Sequence, residues 1–516
     1  MNTQRDNNKR IAKNTLVLYI RMLLTTGVSL YTSRVVLATL GVDDYGTYSI
    51  VGGVVVMFSF LNNSMSGATS RFLTFELGRG NYENLKKNFS AALTTHFIIA
   101  GIIFILAETI GLWWLENKVV LPIDRMNTAR WVYQLSIISS IIGIIQVPYN
   151  ATIIAHEKMN IYAYTEVVNS LLRLGIVFIL IIGYFDKLIL YSVLTLSVTV
   201  IIAAIYKLYC TKNFIESHYK YEWDREIIKP MLSFSGWDLY GNMSVIAKTQ
   251  GVNVLLNMFF GVTVNTAYAI ANQIQGVALA FSGNFLTAVR PQIVKYYALG
   301  EIEKMQKLMM NTAKFSFLLM FLIVFPLIIE TDFIFQLWLG SGNIPKYTVA
   351  FCRLNLLTIL ITFLFANSVI VYAVHATGKI RNLSIIGGTI YILVIPISYF
   401  LLKQGYSPEI PFVTNALLMV IYCIVYIFML RSVIPKFSVN KILRQSTLVI
   451  FIFVLISSLL PLYFHYLYDE GWKRLLLVCI SSVFSILITG YFIFLNKKTR
   501  KNLIKITLRK IKYKYA

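Results

Sequence analysis

Five basic side chains lie inside long apolar stretches of this sequence: Arg21, Arg34, Arg173, Lys248 and Arg353. A cation costs roughly 2.5 to 3.5 kcal/mol at the centre of a membrane-spanning helix, so five that face lipid would cost about 12 to 18 kcal/mol. Arg34 and Arg353 lie towards the outer ends of their stretches, where snorkelling to the membrane boundary explains them equally well. Arg21, Arg173 and Lys248 lie deeper, and we predict that they line a hydrated cavity.

Acidic side chains are rarer in the same stretches, and three stand out: Glu108, Glu166 and Asp238. Carboxyl groups inside a membrane carry protons or bind ions in transporters, so these three are candidate sites for coupling to H⁺ or Na⁺. The alternative for each is a local ion pair with a buried cation. Five cations against three acids make the interior net positive, which favours an anionic ligand in a medium of low dielectric constant.

Polar residues recur at helical spacing along several apolar stretches. Glu166, Asn169, Ser170 and Arg173 are spaced to lie on one helix face. Other stripes consist of Asp238, Asn242, Thr249 and Asn253; of Asn265, Tyr268, Asn272 and Gln275; and of Tyr45, Tyr48, Gly52, Ser59 and Asn62. A hydrogen bond between helices explains any one of these residues, whereas stripes on several helices indicate a hydrated cleft. Tyrosine and asparagine suit a hydroxyl-rich ligand. We therefore predict a substrate cavity lined by the five cations together with Tyr48, Asn62, Asn242, Tyr268, Asn272 and Gln275.

The elements that must position these residues are membrane-spanning helices. The chain has 516 residues, 57% of them apolar and only 14% charged, with a mean hydropathy of +0.67, which excludes a soluble enzyme. Apolar runs of about 18 residues or more predict an all-α polytopic membrane protein with fourteen transmembrane helices. These runs lie near residues 14–40, 45–69, 90–114, 128–152, 161–184, 187–209, 235–259, 264–289, 312–334, 347–373, 382–402, 411–430, 446–468 and 473–495.

Lysine and arginine are distributed unequally between the two sides of the predicted membrane protein. With the amino terminus inside, 34 of the 47 basic residues fall in inside segments, 8 in outside loops and 5 within helices. The positive-inside rule therefore predicts that both termini are cytoplasmic. This topology accounts for most of the net charge of +24, so the charge gives no reason to expect nucleic acid as a partner. Membrane lipids are the expected surroundings.

The sequence repeats weakly at an offset of 220 residues. Gly41, Ala68, Gly80, Glu83 and Lys87 match Gly261, Ala288, Gly300, Glu303 and Lys307. The offset superimposes helices 1 and 2 on helices 7 and 8. Six helices per copy is an even number, so the copies enter the membrane from the same side as parallel lobes. We predict an N-lobe over 1–211 (helices 1–6), a cytoplasmic linker over 212–234, a C-lobe over 235–431 (helices 7–12), helices 13 and 14 over 432–495 and a basic cytoplasmic tail over 496–516.

Motifs for catalysis, metal binding and nucleotide hydrolysis are not found in the sequence. The four cysteines are dispersed, without a CxxC pair or clustered histidines, so we expect no metal site and no cofactor. Gly378-Lys379 is followed by Ile380 rather than by Ser or Thr, which excludes a Walker A site for ATP. We predict no catalytic residues. The outside loops are short, which weighs against a membrane polymerase or ligase of glycans.

The amino-terminal pattern resembles that of a transporter family. A basic tail leads through Asn14-Thr15 and Tyr31-Thr32-Ser33-Arg34-Val35-Val36 to Leu40-Gly41-Val42-Asp43-Asp44-Tyr45-Gly46-Thr47-Tyr48, and Gly78-Arg79-Gly80-Asn81 follows the second helix. Together with the fourteen-helix plan, this resembles the polysaccharide-exporter branch of the multidrug/oligosaccharidyl-lipid/polysaccharide (MOP) superfamily, which includes Wzx-like O-antigen flippases and capsule-unit flippases.

The resemblance implies two six-helix lobes that form a V-shaped, cation-lined cavity. It implies alternating access that moves an undecaprenyl-pyrophosphate-linked oligosaccharide across the inner, cytoplasmic membrane of a bacterium, for synthesis of lipopolysaccharide O-antigen, capsule or exopolysaccharide. It also implies that an ion gradient or the membrane potential drives transport. In lipid II flippases of the same superfamily, cations of the first helices and of helix 8 line the cavity. Arg21 corresponds by position, and Arg290, before Pro291, corresponds less closely.

Three other functions stay open. A multidrug efflux antiporter of the same fold would have twelve helices and carboxylates in its cavity, unlike this cationic pattern. A lipid II flippase would share the predicted architecture. The third alternative is a membrane glycan polymerase or ligase. In that case the purified protein would lengthen glycan in vitro. We expect the protein to function as a monomer, with the glycan polymerase machinery as a candidate partner.

Overall fold

The fold is known from a computed structural model that describes residues 10–29, 31–32, 35–36, 39–40, 59–117, 125–182, 186–221, 223–339, 346–495 and 500. Within these ranges all regular secondary structure is helical, and there is no β-strand. The prediction of an all-α protein is therefore confirmed.

The α-helices of the described ranges, in chain order, are α1 (residues 10–29), α2 (Ser59–Arg79), α3 (Tyr82–Leu106), α4 (Leu112–Asn117), α5 (Met126–Ala155), α6 (Met159–Ile182), α7 (Lys187–Asn213), α8 (Arg225–Phe260), α9 (Val262–Ala298), α10 (Ile302–Ile329), α11 (Thr331–Leu339), α12 (Thr348–Leu364), α13 (Asn367–Thr377), α14 (Arg381–Lys403), α15 (Ile410–Val433), α16 (Val439–Ile442), α17 (Leu448–Leu467) and α18 (Trp472–Phe494). A π-helical turn, Ala107–Gly111, joins α3 to α4, and a second one, Leu443–Thr447, joins α16 to α17.

Nine helical segments in the described ranges are long and apolar enough to cross a membrane. They are α3 with α4, α5, α6, α7, α10, α14, α15, α16 with α17, and α18. The pair α12 and α13 is bent by 54° at its break. If this pair is counted as one span, the described ranges contain ten candidate membrane spans. The other described helices of comparable length, α1, α2, α8 and α9, do not meet this criterion over their described residues. Arg21 lies in α1 and Lys248 in α8, and residues of the predicted polar stripes lie on α2, α8 and α9. These four begin the two predicted repeats, so the polarity lies at equivalent places.

Matched residues of the repeat have matched structures. Gly80 follows α2 with φ of 71°, and Gly300 follows α9 with φ of 70°. A Cβ at either position would meet no atom within 4 Å, so the left-handed backbone, not crowding, is what favours glycine there. Ala68 and Ala288, the matched alanines inside α2 and α9, are both fully buried.

The chain divides into two compact units, Met1–Asn242 with Ala288–Gly300, and Met243–Thr287 with Glu301–Ala516. Two helices, α8 and α9, each begin in one unit and end in the other.

In unit 1, α5 packs against α2, α3 and α7. Its core contains Phe89 and Tyr149, whose rings meet edge to face at 5.3 Å, together with the fully buried Tyr206. In unit 2, α17 and α18 form a hairpin that packs against α10. Phe321 and Phe453 lie 5.9 Å apart in this second core. Aromatic packing of this kind fixes helices in lipid, where burial of apolar surface gives little driving force.

The segment predicted as a linker over 212–234 is packed and partly helical. Glu216 is buried, and its Oε1 lies 2.5 Å from Nε2 of His156, whose ring stacks on Phe214 at 4.1 Å. Oδ1 of Asp224 accepts a hydrogen bond from the backbone N–H of Glu226 at 2.8 Å and so caps α8. Helix α8 therefore begins at Arg225, ten residues before the predicted span. The polar and basic composition indicated a solvated linker. Composition could not show that Glu216 contacts His156, because the two residues are distant in the sequence.

Candidate functional site

A polar cavity of about 610 Å³ lies within unit 1. Its walls come from the carboxyl-terminal part of α1 and the residues after it, from the middle of α6 and from the start of α7. Most of its side chains carry hydroxyl or amide groups, and one is a cation: Thr25, Thr26, Ser29, Thr32, Asn169, Ser170, Arg173, Tyr191 and Thr195. Carboxylates are absent from its described lining. The cavity therefore offers one positive charge among hydrogen-bonding groups.

Arg173 is the charged group of this cavity. Its Nε donates to Oδ1 of Asn169, one turn earlier on α6, at 3.2 Å. A guanidinium has five N–H donors, and no acid pairs with Arg173 among the described residues, so the other four can meet a ligand. The hydroxyls of Thr32 and Thr195 are buried without a hydrogen-bond partner in the described part of the chain. Buried hydroxyls of this kind are normally satisfied, and an oxygen-rich ligand would satisfy them.

Unit 2 has a smaller polar cavity, of about 220 Å³. Its polar lining comes from α8, α9, α12 and α15: Lys248, Thr249, Tyr268, Asn272, Gln275, Asn355 and Asn415. Nζ of Lys248 donates to Oδ1 of Asn415 at 3.3 Å and lies 5.5 Å from the centroid of the Tyr391 ring. Among the described residues, the lining holds no carboxylate to neutralise this lysine.

Hydrogen bonds hold the amide and phenol groups of the second cavity in place. The hydroxyl of Tyr268 donates to the Thr249 carbonyl at 2.8 Å, which joins α9 to α8. Nδ2 of Asn355 donates to Oδ1 of Asn272 at 3.3 Å. The lining is thus an ordered array of hydrogen-bond donors and acceptors, which is typical of a site that binds hydroxyl groups.

The two cavities are related by the repeat. Adding 220 to Val28, Ser29 and Thr32 gives Lys248, Thr249 and Val252, and both sets line their own cavity. The first helix of each copy therefore presents the same face to a polar cavity. The cation stands on different helices: Arg173 is on α6 in unit 1, and Lys248 is on α8 in unit 2.

The structure places five of the predicted cavity residues in these cavities: Arg173 in the first, and Lys248, Tyr268, Asn272 and Gln275 in the second. Asn242 instead donates to Oδ2 of Asp238 at 3.1 Å. Arg34 and Tyr48 lie outside the described residues, and Asn62 lies in α2 but its side chain is not described.

Arg353 and Arg21 line neither cavity. Nη2 of Arg353 binds Oδ2 of Asp332 at 2.5 Å and its Nε donates to the Ile328 carbonyl at 3.1 Å, so this cation caps the end of α10. Arg21 lies over the ring of Tyr162, with 4.9 Å between its Cζ and the ring centroid. Arg290, the residue suggested by the lipid II flippases, donates to the Gly67 carbonyl at 3.1 Å.

Each of the three predicted coupling acids accepts a hydrogen bond from a neutral side chain. Oε1 of Glu166 accepts from the Tyr206 hydroxyl at 3.4 Å, and Asp238 accepts from Asn242 as described above. Oε2 of Glu108 accepts from Nε2 of Gln134 at 3.1 Å, whereas its Oε1 is buried without a partner among the described residues. Glu108 also stands in the π-helical turn after α3, and such turns are frequent at functional sites.

Among the buried carboxylates that the sequence analysis did not single out, two lie in very short connections between helices. Glu157, between α5 and α6, has a side chain that is only 1% exposed and binds Arg10 and Lys295, each at 2.7 Å. Glu330, between α10 and α11, is fully buried and binds His465 at 2.8 Å and Arg474 at 3.0 Å. For Glu157 and for Glu330, the only feature of the sequence that indicates a buried carboxylate is an acidic residue in a very short connection between two apolar runs.

Solved transporter structures share this fold. A MATE transporter in the straight conformation superimposes with a TM-score of 0.71 at 14% identity, over 84% of this chain and 97% of that chain. An outward-facing multidrug resistance MATE family transporter of the MOP superfamily gives 0.70 at 15% identity over the same shares. A MOP superfamily transporter from Pyrococcus furiosus gives 0.67 at 14% identity, over 83% of this chain and 95% of that chain. The fold is therefore that of MOP-superfamily transporters, as the sequence resemblance predicts.

The family follows from the sequence. The model of the polysaccharide biosynthesis protein family matches residues 11–297, more than half of the chain. The chain belongs to this family, and it is a multi-pass membrane protein with a transporter fold. No curated protein sequence matches it significantly.

Proposed function

We propose that the protein is a flippase for a lipid-linked oligosaccharide, with undecaprenyl pyrophosphate as the lipid carrier, working by alternating access. The observation that carries the proposal is the unit 1 cavity, where Arg173 stands among hydroxyls and amides with no carboxylate in the described lining. A guanidinium is the side chain best suited to phosphate because its donors bind two oxygens at once. The matched polysaccharide biosynthesis family supports a glycan as the remainder of the ligand.

The unit 2 cavity supports the same ligand by its neutral groups. Tyr268, Asn272, Gln275 and Asn415 present donors and acceptors to the cavity, and sugars carry both kinds of group. Lys248 adds one positive charge. A ligand with a phosphate and several hydroxyl groups would therefore find complementary groups in each unit.

A multidrug extruder is the second candidate, since two of the structural neighbours are described as MATE transporters. An organic cation would be repelled by Arg173 and Lys248, and neither described lining offers it a carboxylate. The Pyrococcus furiosus neighbour is described as having a binding pocket of reverse polarity that suggests a different function. Pocket polarity thus varies within this fold, and here it favours an anion.

Deletion of the gene in its own organism tests the proposal. We expect lipid-linked oligosaccharide to accumulate in the cytoplasmic leaflet, surface polysaccharide to fall, and susceptibility to cationic drugs to stay unchanged. Raised drug susceptibility with normal polysaccharide would contradict the flippase and support the extruder. Rescue of cells that lack their lipid II flippase would instead identify lipid II as the substrate.

Replacement of Lys248 by alanine should lower transport about tenfold, because a charge-assisted contact contributes roughly 1.5 to 3 kcal/mol. Transport of labelled lipid-linked oligosaccharide in proteoliposomes measures the change. Lys403→Ala is the matched control, since Lys403 is exposed at the end of α14 and lines neither cavity. Equal transport by the two variants would remove Lys248 from the binding site.

Glu108 is the acid that we propose for coupling to H⁺ or Na⁺, with Glu166 and Asp238 as the other candidates. Glu108→Gln keeps the shape and the contact with Gln134 but cannot ionise, so we expect transport to lose its response to an imposed H⁺ or Na⁺ gradient. The measurement is the ratio of initial rates with and without the gradient. Glu116→Gln, in the next helix where Glu116 pairs with Arg130 at the surface, should keep the wild-type ratio; an unchanged ratio in Glu108→Gln would assign coupling elsewhere.

We place the protein in the bacterial cytoplasmic membrane with both termini in the cytoplasm, as an N-lobe, a C-lobe and two additional helices. The excess of lysine and arginine on the predicted inner side supports this orientation. Reporter fusions at residue 516 and in the predicted outer loop near residues 117–127 test it, with activity expected on opposite sides. We further propose that the monomer is the functional unit and that the glycan polymerase machinery is its partner.

A further inference from the structure

A third polar cavity, of about 260 Å³, lies in unit 1 and shares no lining residue with the two cavities above. Arg10, Lys13 and Asn14 line it from α1, and His156, Glu157 and Lys158 line it from the connection between α5 and α6. The proposed transport function does not use any of these groups.

The only acid among these residues, Glu157, is already engaged. Its carboxylate receives Nε of Arg10 and Nζ of Lys295 at 2.7 Å each, and Nε2 of Gln292 at 2.7 and 2.8 Å. Asn14 donates to the Glu157 carbonyl at 3.3 Å and holds the turn in place. Two cations therefore outweigh the one buried negative charge.

Lys13 and Lys158 are the cations of the pocket that remain available. Both are exposed, and neither has an ion-pair partner among the described residues. With Arg10 they bring three positive charges to a cavity whose single carboxylate is shared with Lys295. The cavity is consequently net positive and complementary to a phosphate group.

The position of the cavity points to a lipid as the source of that phosphate. It lies where the apolar helix α5 ends at Ala155 and the apolar helix α6 begins at Met159. A short connection between two predicted membrane crossings is expected at the level of lipid headgroups. Leu16 and Ile20 follow Lys13 on α1 at steps of three and four residues and are 61% and 52% exposed. The basic pocket thus continues along the helix as an apolar surface that could contact an acyl chain.

We propose that this pocket binds the phosphodiester headgroup of an anionic glycerophospholipid from the leaflet on the predicted cytoplasmic side. Basic pockets at the ends of transmembrane helices on that side are suited to anionic headgroups. Lys13 and Lys158 contact the phosphate oxygens, and the Glu157 cluster keeps α1 beside the connection so that the two lysines converge.

The test measures lipid binding to the full-length protein in nanodiscs of phosphatidylcholine, with fluorescent phosphatidylglycerol as the probe. We expect Lys13→Ala/Lys158→Ala to weaken phosphatidylglycerol binding about tenfold or more. The matched control is Lys207→Ala/Lys212→Ala, which removes two exposed lysines from α7 near the predicted cytoplasmic side but outside the pocket. The control should bind as the wild type does.

Competition distinguishes the possible sources of the phosphate. Unlabelled phosphatidylglycerol should displace the probe, whereas inorganic phosphate and undecaprenyl phosphate should each need at least about tenfold higher concentration. Stronger competition by undecaprenyl phosphate would overturn the proposal and identify the pocket as a substrate contact. Equal loss of binding in the two double variants, or no loss in either, would overturn it as well, because the effect would then be bulk charge or absent.

Discussion

Replacement of Arg173 by alanine should lower the rate of lipid-linked oligosaccharide transport about tenfold to a hundredfold. Arg173 is the single cation in the described lining of the larger cavity, and only its Nε has a protein partner there, Asn169. Charge-assisted hydrogen bonds to phosphate contribute roughly 1.5 to 3 kcal/mol each, and about 1.4 kcal/mol is tenfold in rate. Initial rates in proteoliposomes, normalised to inserted protein, measure the loss.

Two further variants separate charge from shape at this position. Arg173→Lys keeps the charge but not the two-pronged geometry, so we expect it to recover only part of the rate. Arg431→Ala removes an exposed arginine outside both cavities and should transport as the wild type does. A full rate in Arg173→Ala would contradict phosphate binding in the unit 1 cavity.

Replacement of Glu330 by alanine should produce the largest loss of stability among the single changes considered. Glu330 is fully buried between His465 of α17 and Arg474 of α18. Removal of Glu330 leaves Arg474, whose side chain is only 12% exposed, with only the longer contact to Glu470, at 3.8 Å, among the described residues. Breaking a buried pair in this way costs about 3 kcal/mol or more. The midpoint of thermal unfolding in detergent should fall, and limited proteolysis should first cut near α17 and α18.

Glu301→Ala is the control for this change. Glu301 binds Lys304 three residues later at the surface of unit 2, and exposed pairs contribute at most about 1 kcal/mol. Its unfolding midpoint should stay close to that of the wild type. Similar midpoints for the two variants would mean that the Glu330 cluster does not hold the last two helices in place.

The helical plan could be predicted from the sequence because the membrane imposes it. A chain in lipid must satisfy its backbone hydrogen bonds within each crossing, so apolar runs of about 20 residues become helices almost without regard to their neighbours. The weak repeat was informative as well, because its matched residues Gly80 and Gly300 both have a left-handed backbone. The sequence analysis did not predict that α8 begins at Arg225. Asp224, which caps the helix, lies within a polar segment and does not stand out from it.

The candidate site was predictable where one helix decides the geometry. Spacing alone placed Asn169, Ser170 and Arg173 on one face of α6, and these residues line the unit 1 cavity. Spacing could not foresee that Arg353 binds Asp332, because that contact depends on a break after α10.

Contacts between distant parts of the chain were out of reach of the sequence alone. Glu157 binds Arg10, 147 positions earlier, and Lys295, 138 positions later. No periodic pattern in a sequence encodes such a pairing, since it arises only when helices pack. The third cavity, which depends on this cluster, could therefore be recognised only in the structure.

The most direct test of the proposed function is transport by the purified protein in proteoliposomes. Fluorescent undecaprenyl-pyrophosphate oligosaccharide is added to both leaflets, and a membrane-impermeant quencher reports the fraction that reaches the outer leaflet after an ion gradient is imposed. A flippase should move the lipid-linked oligosaccharide many times faster than protein-free liposomes do, and Arg173→Ala should remove most of that rate. Transport no faster than in protein-free liposomes, together with uptake of an organic cation by the same vesicles, would contradict the proposed function.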